Sequence, residues 1–398
     1  MAGNAQAPAA PQQQGSSGGG SGGSGQQQAA LPSWPFPVGV LGAVNASDYD
    51  ETKTMGAAAV KFPDVKVEPS GWLRGLWFDF TLTAASNAAT VAWTEDGIFA
   101  AVDTVLFRDT GGEQIFGPFD GYDWGQSNKW GAYHPVGDPR ADQNFSQTSG
   151  SGATAGSGHM TLYLPLEISA ADALGDVENR SENSIYRVEL TMGASTAVYS
   201  TAPTDLPTME VKTTQDSYYE PIAAMALSGR PVADAPPSPG TLQYWKQEDG
   251  TLPATTASYL ITNGIGNGYR NIIFKCIDAS AGTRSAGDAD WPTLTELTLG
   301  TTRTRNLYKK TWQDMLGRAF ELTSVSRDTA RGLENGVYPL WFTQDVGIKP
   351  GDEARRKYLR TKPGNTFKLR GNFGAACTLY VTTNYVVPKN NQFSTIVA

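Results

Sequence analysis

The chain has 398 residues, with 31 Lys and Arg against 39 Asp and Glu, a formal net charge of −8 and no basic block. That balance disfavours sequence-independent binding to nucleic acid, which needs clustered cations, and two cysteines exclude a disulfide framework or a Cys-rich zinc module. A single hydrophobic core stops growing near ~250–300 residues, so this length asks for two or three domains, and Gly 44 and Pro 24 spread along the chain favour many turns and an all-β fold.

Residues 1–30 are a Gly/Ser/Gln/Ala tract whose composition predicts a flexible tail, since it cannot bury enough apolar surface to offset its ordering entropy. It has neither the basic start nor the apolar stretch of an export signal, and no run of ~18 apolar residues follows anywhere. Residues 31–60 read as a Pro-rich apolar arm. Pro32, Pro35 and Pro37 forbid a helix through its first half, and Leu31, Trp34, Phe36 and Val38 need a surface to lie against: the chain's own body, a neighbouring subunit or lipid.

From Lys61 the chain is a series of short apolar segments between turn signals, read as a first domain over 61–229. GWLRGLWFDFTLTA (71–84) is rich in aromatic and β-branched residues and is broken at Ser86-Asn87, and IFAAVDTVLF (98–107) suits one strand buried between two sheets. Met160–Glu167 and Ile185–Leu190 continue the series, and Met209, Val211 and Thr213 alternate with polar neighbours as a half-buried strand does. Residues 121–158 lack periodicity and read as a surface or contact loop. With Phe116 and Phe119 just before it, Tyr122, Trp124 and Trp130 in it are candidate inter-subunit hot spots. Ser169-Ala170-Ala171-Asp172 looks like a capping box opening a helix to about Val177. RPVADAPPSPG (230–240) is a stiff Pro-rich linker, and 241–398 is a second domain. In it Trp312, Met315, Leu316, Ala319 and Phe320 fall on one face of a helix that begins near Asn306.

The two halves echo one another. Leu73–Asp79 resembles Tyr269–Lys275, a helix follows in each half, Tyr186-Arg187-Val188 matches Phe367-Lys368-Leu369, and Met209–Thr214 matches Leu379–Asn384, all in the same order. A duplicated β-domain follows, and halves of this size with long connections fit two consecutive jelly rolls, each an eight-stranded Greek-key sandwich with short helical insertions.

The search for chemistry is mostly negative. Gly-x-Ser-x-Gly occurs only inside the low-complexity tract, and Gly264–Gly268 lacks the ending of a phosphate loop and reads as a turn. His134 and His159 lack a second His at metal spacing and read as surface residues. Asp278, Asp288 and Asp290 lack a calcium-loop spacing. Glu167, Glu189 and Glu210 are the carboxylates a glycosidase could use, although alternation puts Glu189 on an outward face. Cys276 and Cys377 read as buried hydrophobes, and GDEARRKYLRTK (351–362) as an exposed loop or a subunit contact. No cofactor and no metal is expected. Ten tryptophans in an acidic β-rich chain also suit a secreted two-module carbohydrate-binding or glycoside-hydrolysing protein, the alternative reading.

In order along 61–398, GWLRGLWFDFTLTA with IFAAVDTVLF, GHMTLYLPLEIS, LYKKTWQDMLGRAFEL, and GVYPLWF with FKLRGNFGAACTLYVTTNYVV resemble the double jelly-roll major capsid proteins of tailless, membrane-containing icosahedral phages, the tectivirus type. The resemblance implies a non-enzymatic structural protein of the virion, assembled in the host cytoplasm. Its partners are further copies of itself, first as a homotrimer forming a pseudo-hexagonal capsomer and then as a lattice. Minor capsid and vertex proteins and an internal viral membrane are further implied partners, with no direct nucleic acid. Members can carry an amphipathic N-terminal helix near the membrane, which the uncharged tract and the Pro-rich arm do not match.

Overall fold

The computed structural model describes residues 34–84, 90–171, 173–183, 185–222, 230–237, 240, 243–343 and 355–387. The low-complexity tract, Leu31 and the Ser86-Asn87 break lie outside them. The first half contributes β1 (Gly42–Thr54), β2 (Val60–Lys61), β3 (Val65–Lys66), β4 (Gly71–Thr83), β5 (Val102–Arg108), β6 (Gln114–Phe119), β7 (Gly158–Pro165), β8 (Arg187–Met192) and β9 (Thr208–Tyr218). The second contributes β10 (Gln243–Leu252), β11 (Thr256–Ile261), β12 (Gly268–Asp278), β13 (Leu294–Leu299), β14 (Thr302–Tyr308), β15 (Val337–Trp341), β16 (Phe367–Asn372) and β17 (Cys377–Val386). Helices α1 (Gly121–Trp130), α2 (Arg284–Asp290) and α3 (Lys309–Ala319) interrupt them.

Pairing repeats between the halves. One face of the first unit runs β1-β9-β4-β7 and its other face β2/β3-β8-β5-β6, with β2 and β3 sharing one position. The second unit runs β10-β17-β12-β15 and β11-β16-β13-β14, the same order taken at the same places in the chain. Each half is therefore a Greek-key jelly roll. The two are continuous: β6 pairs with β10 in parallel at Phe116 and Trp245, which extends one sheet to ten strands across both rolls.

Alternation builds each strand. In β4, Leu76, Phe78, Phe80 and Leu82 point into the roll, while Trp77, Asp79 and Thr81 remain part-exposed on the outer face. In β9, Met209, Val211 and Thr213 are buried against them, as the period-2 pattern predicts.

Four expectations are corrected. The 98–107 run is not one strand, because Gly97–Ala101 forms a 3-10 turn before β5; Gly97 has φ +58, a conformation that favours glycine. No helix occupies the described residues of 169–177: Ser169 bridges Leu174, Val177–Asn179 pairs with β4, and left-handed backbone at Ala173 and Gly175 breaks the helical path. Residues 121–158 are a surface loop only in their later part: they open with the ten-residue α1, every residue of which is buried, while 142–154 are mostly irregular and largely exposed as expected. The first roll begins at Gly42, inside the stretch read as an arm, because β1 is a largely polar edge strand without an apolar signature.

The described part of the arm lies on its own chain. Trp34 N–H donates to Pro231 O at 2.9 Å, Ala233 N–H donates to Trp34 O at 2.8 Å, and the Arg230 guanidinium stacks over the Trp34 ring. Phe36 is buried edge-on against Tyr218, with Leu41 and Trp72 in the same small cluster.

Candidate assembly interface

The helices α1 and α3 follow equivalent strands, β6 and β14, and start three residues before a tryptophan: Asp120 caps α1 ahead of Trp124, and Tyr308 precedes α3 ahead of Trp312. Both indoles plug the side of their own roll. Trp124 Nε1 donates to Tyr163 O at 2.7 Å, with its ring edge-on to Phe78 and Phe80. Trp312 Nε1 donates to Pro339 O at 2.8 Å, with its ring edge-on to Phe274 and Tyr338. The acceptors lie on β7 and β15, which are again equivalent positions. An indole buried this way contributes its apolar area and satisfies its only donor.

The other face of α1 meets the second roll through buried charge. Lys275 of β12 lies 2.6 Å from Asp123 and 3.1 Å from Asp120, and Gln247 Nε2 donates to Asp123 at 2.6 Å. Burial and the neighbouring Asp120 push the Asp123 carboxyl up to about 6, with Lys275 pulling the other way. Further along, Lys129 Nζ lies 2.5 Å from Glu334 and 2.7 Å from Asp138, Tyr122 Oη donates to Glu334 at 2.9 Å, and Arg140 pairs with the same carboxylate. Burial opposes the charge on Glu334, yet Arg140 and Lys129 hold its carboxyl far below the usual glutamate range. Arg284 of α2 lies over the Tyr122 ring and pairs with Asp96 of the first half and Asp328 of the second, both at 2.8 Å. Breaking one member of such a buried set leaves an uncompensated charge, so the joint resists sliding and hinging.

Of the residues proposed as exposed contacts, Phe116, Phe119, Tyr122, Trp124 and Trp130 are all at most 2% exposed. They are corrected to the chain's own core and inter-roll joint. Trp34 is 37% exposed, Phe36 is buried and Val38 half-buried. His134, read as a surface residue, is buried edge-on to Trp77, and burial lowers its pKa; His159 sits on β7 beside Asp79 at 3.0 Å. Asp288 is occupied by Lys309, Arg327 and the Tyr338 hydroxyl rather than grouped with Asp278 and Asp290 for a cation. Glu167 is tied to Arg74 and Tyr218, and Glu189 lies part-exposed between Lys61 and Arg108. Cys276 and Cys377 are buried free thiols on adjacent strands. Sequence reasoning missed Lys129, Arg140, Lys275, Arg284 and Glu334. Isolated charges carry no periodic signal, although the Trp placed alike after β6 and β14 was a usable one.

These two joined rolls define the class: the fold is that of the double jelly-roll viral major capsid proteins. Among solved structures, the crystal structure of the STIV MCP superposes with a TM-score of 0.61 at 12% identity, covering 88% of this chain and 98% of that one. The atomic structure of Sulfolobus Turreted Icosahedral Virus gives 0.58 at 13% identity over 90% and 96%. The major capsid protein of bacteriophage PM2 gives 0.51 at 8% identity over 88% and 99%. No protein-family model matches the sequence, and no curated protein is similar to it in sequence.

Proposed function

We propose that this chain is a viral major capsid protein, a non-enzymatic building block of the virion whose three copies form a pseudo-hexagonal capsomer. The capsomers tile an icosahedral shell over an internal membrane, and the chain assembles in the host cytoplasm. The observation that carries the reading is the pair of equivalent rolls locked side by side by a shared sheet and a buried charge network. A tile must keep its shape under lattice stress, and two rolls per chain let three chains imitate six-fold symmetry. The fold shared with solved capsid proteins supports the same reading. Minor capsid and vertex proteins are the further partners it implies. The domain division we adopt keeps 1–30 as a tail, 230–240 as the linker and 241–398 as the second roll, with the first roll extended back to Gly42.

Light scattering tests the reading: the purified chain is expected at roughly three times its 42.5 kDa mass. A monomer at micromolar concentration that binds polysaccharide would instead favour the secreted carbohydrate-active alternative.

A further inference from the structure

The two rolls are equivalent in fold but not in what covers them. The edge of β6 is paired with β10 of the same chain, and α1 beside it is wholly buried under the second roll. The matching edge of β14 has no partner among the described residues, and on α3 the residues Lys310, Thr311, Asp314, Met315 and Arg318 are exposed. Trp312 fills its own roll just as Trp124 does, so the bare side of α3 is the side that in α1 is covered. At the far end of the chain, β1 is the counterpart of β10, and its outer edge is equally unpartnered among the described residues.

We infer that the bare side of α3, with the β14 edge, is the docking surface for the first roll of a second copy, at β1 and the outer face of β4 and β9. This rests on the trimer reading and gives it an address. The chemistry of the two surfaces is complementary. The α3 and β14 side presents Arg305, Lys310 and Arg318, with Arg303 paired to Glu296 of β13, against Asp314 alone among the exposed acids of α3 and β14. On the first roll, Asp50, Lys212 and Asp79 lie directly across from one another on β1, β9 and β4, and Glu210 shares their face: three carboxylates to one lysine. The covered joint inside the chain carries the opposite polarity at its Asp120 and Asp123 end, where the helix side is acidic against Lys275, and is basic on the helix side at its other end, where Lys129 faces Glu334. The contact is head-to-tail: each copy offers its second roll to the next copy's first. Such an interface closes into a ring when the rotation per copy divides a full turn, and the trimer proposed above would hold six joints, three of the kind covered inside each chain and three of this kind between chains. Exposed Tyr308 and Met315 on one side and Val44 on the other supply apolar surface to be covered.

The test uses the full chain with three variants: Lys310→Glu with Arg318→Glu, Asp50→Lys with Asp79→Lys, and all four together. All sites are surface-exposed or half-exposed, and circular dichroism melts check that each variant folds. Each charge-reversed pair is expected to drop the solution mass from trimer to monomer at low salt, and the fourfold reversal to restore the trimer. A trimeric wild type whose two paired variants also stay trimeric, with unchanged salt dependence, overturns this inference and leaves the trimer standing. A monomeric wild type overturns the trimer reading itself. Loss of the trimer in all three variants would also reject the complementarity argued here.

Discussion

Glu334 is the point at which the inter-roll joint is most exposed to a single change. Its carboxylate is fully buried and faces Lys129 at 2.5 Å, Arg140, and the Tyr122 hydroxyl at 2.9 Å. With Asp138 it balances two cations against two anions. Glu334→Gln keeps the shape and an acceptor for Tyr122 but leaves two buried cations with one carboxylate. Breaking a buried pair in this way costs about 3–5 kcal/mol, which for rolls of this size lowers the melting temperature by about 6–20 °C. The assay is thermal unfolding at one fixed protein concentration, because assembly adds its own stabilisation. A companion variant, Lys129→Met with Glu334→Leu, removes the pair together and is expected to cost less than the sum of the two single changes. The pH dependence has a definite sign. The folded pKa of Glu334 is depressed, so its contribution is fully present above the ordinary glutamate value and is lost as pH falls below it. Wild type should therefore lose stability on acidification below about pH 5, and Glu334→Gln should lose less. A Glu334→Gln protein melting within about 0.5 kcal/mol of wild type, as a surface change would, would refute the claim that this network holds the rolls together.

Other consequences can be checked more briefly. Trp124→Phe and Trp312→Phe each remove an indole hydrogen bond to a strand carbonyl, and chemical denaturation should show a loss of about 1–3 kcal/mol for each. Gly121→Ala places a methyl group against the Phe99 carbonyl on a fully buried helix, so it should destabilise by more than about 1 kcal/mol in the same assay. Cys276 and Cys377 are at 0% exposure; their mutual hydrogen bond raises the Cys276 thiol pKa and lowers that of Cys377, so burial is what should keep a thiol-specific dye from labelling either until the chain is unfolded. Deleting residues 1–30 should leave the solution mass in units of the trimer, measured by light scattering.

The strands facing a roll interior were legible because alternation writes itself into the sequence. Leu73–Asp79 and Tyr269–Lys275 lie on the equivalent strands β4 and β12, Arg187-Val188 and Lys368-Leu369 on β8 and β16, and Met209–Thr214 and Leu379–Asn384 on β9 and β17, so three of the four echoes between halves mark equivalent strands. The fourth paired the wrong elements. The true counterpart of α3 is α1, which was hidden because both of its faces are buried: one plugs its own roll and the other meets the next. A helix covered all round by a mixture of aromatic, polar and charged neighbours loses the 3.6-residue apolar stripe by which α3 was found. The same fact moved Tyr122, Trp124 and Trp130 from imagined surface to core. Composition marked them as sticky but not which surface they were to meet. The charges of the joint were illegible for a related reason, since Lys129 and Glu334 are 205 residues apart and neither carries a local signature.

The unlike charge of the two exposed faces has a consequence for how rolls can meet. With the exposed α3 and β14 side of the second roll basic and the β1, β9 and β4 face of the first roll acidic, two second rolls would set Lys310 and Arg318 against the same cations, and two first rolls would set Asp79 and Glu210 against the same carboxylates. Like sign would meet like in both mistakes, so the proposed contact favours alternation of the two rolls. Gene duplication followed by this divergence would turn a self-adhesive module into one that can tell its own two copies apart.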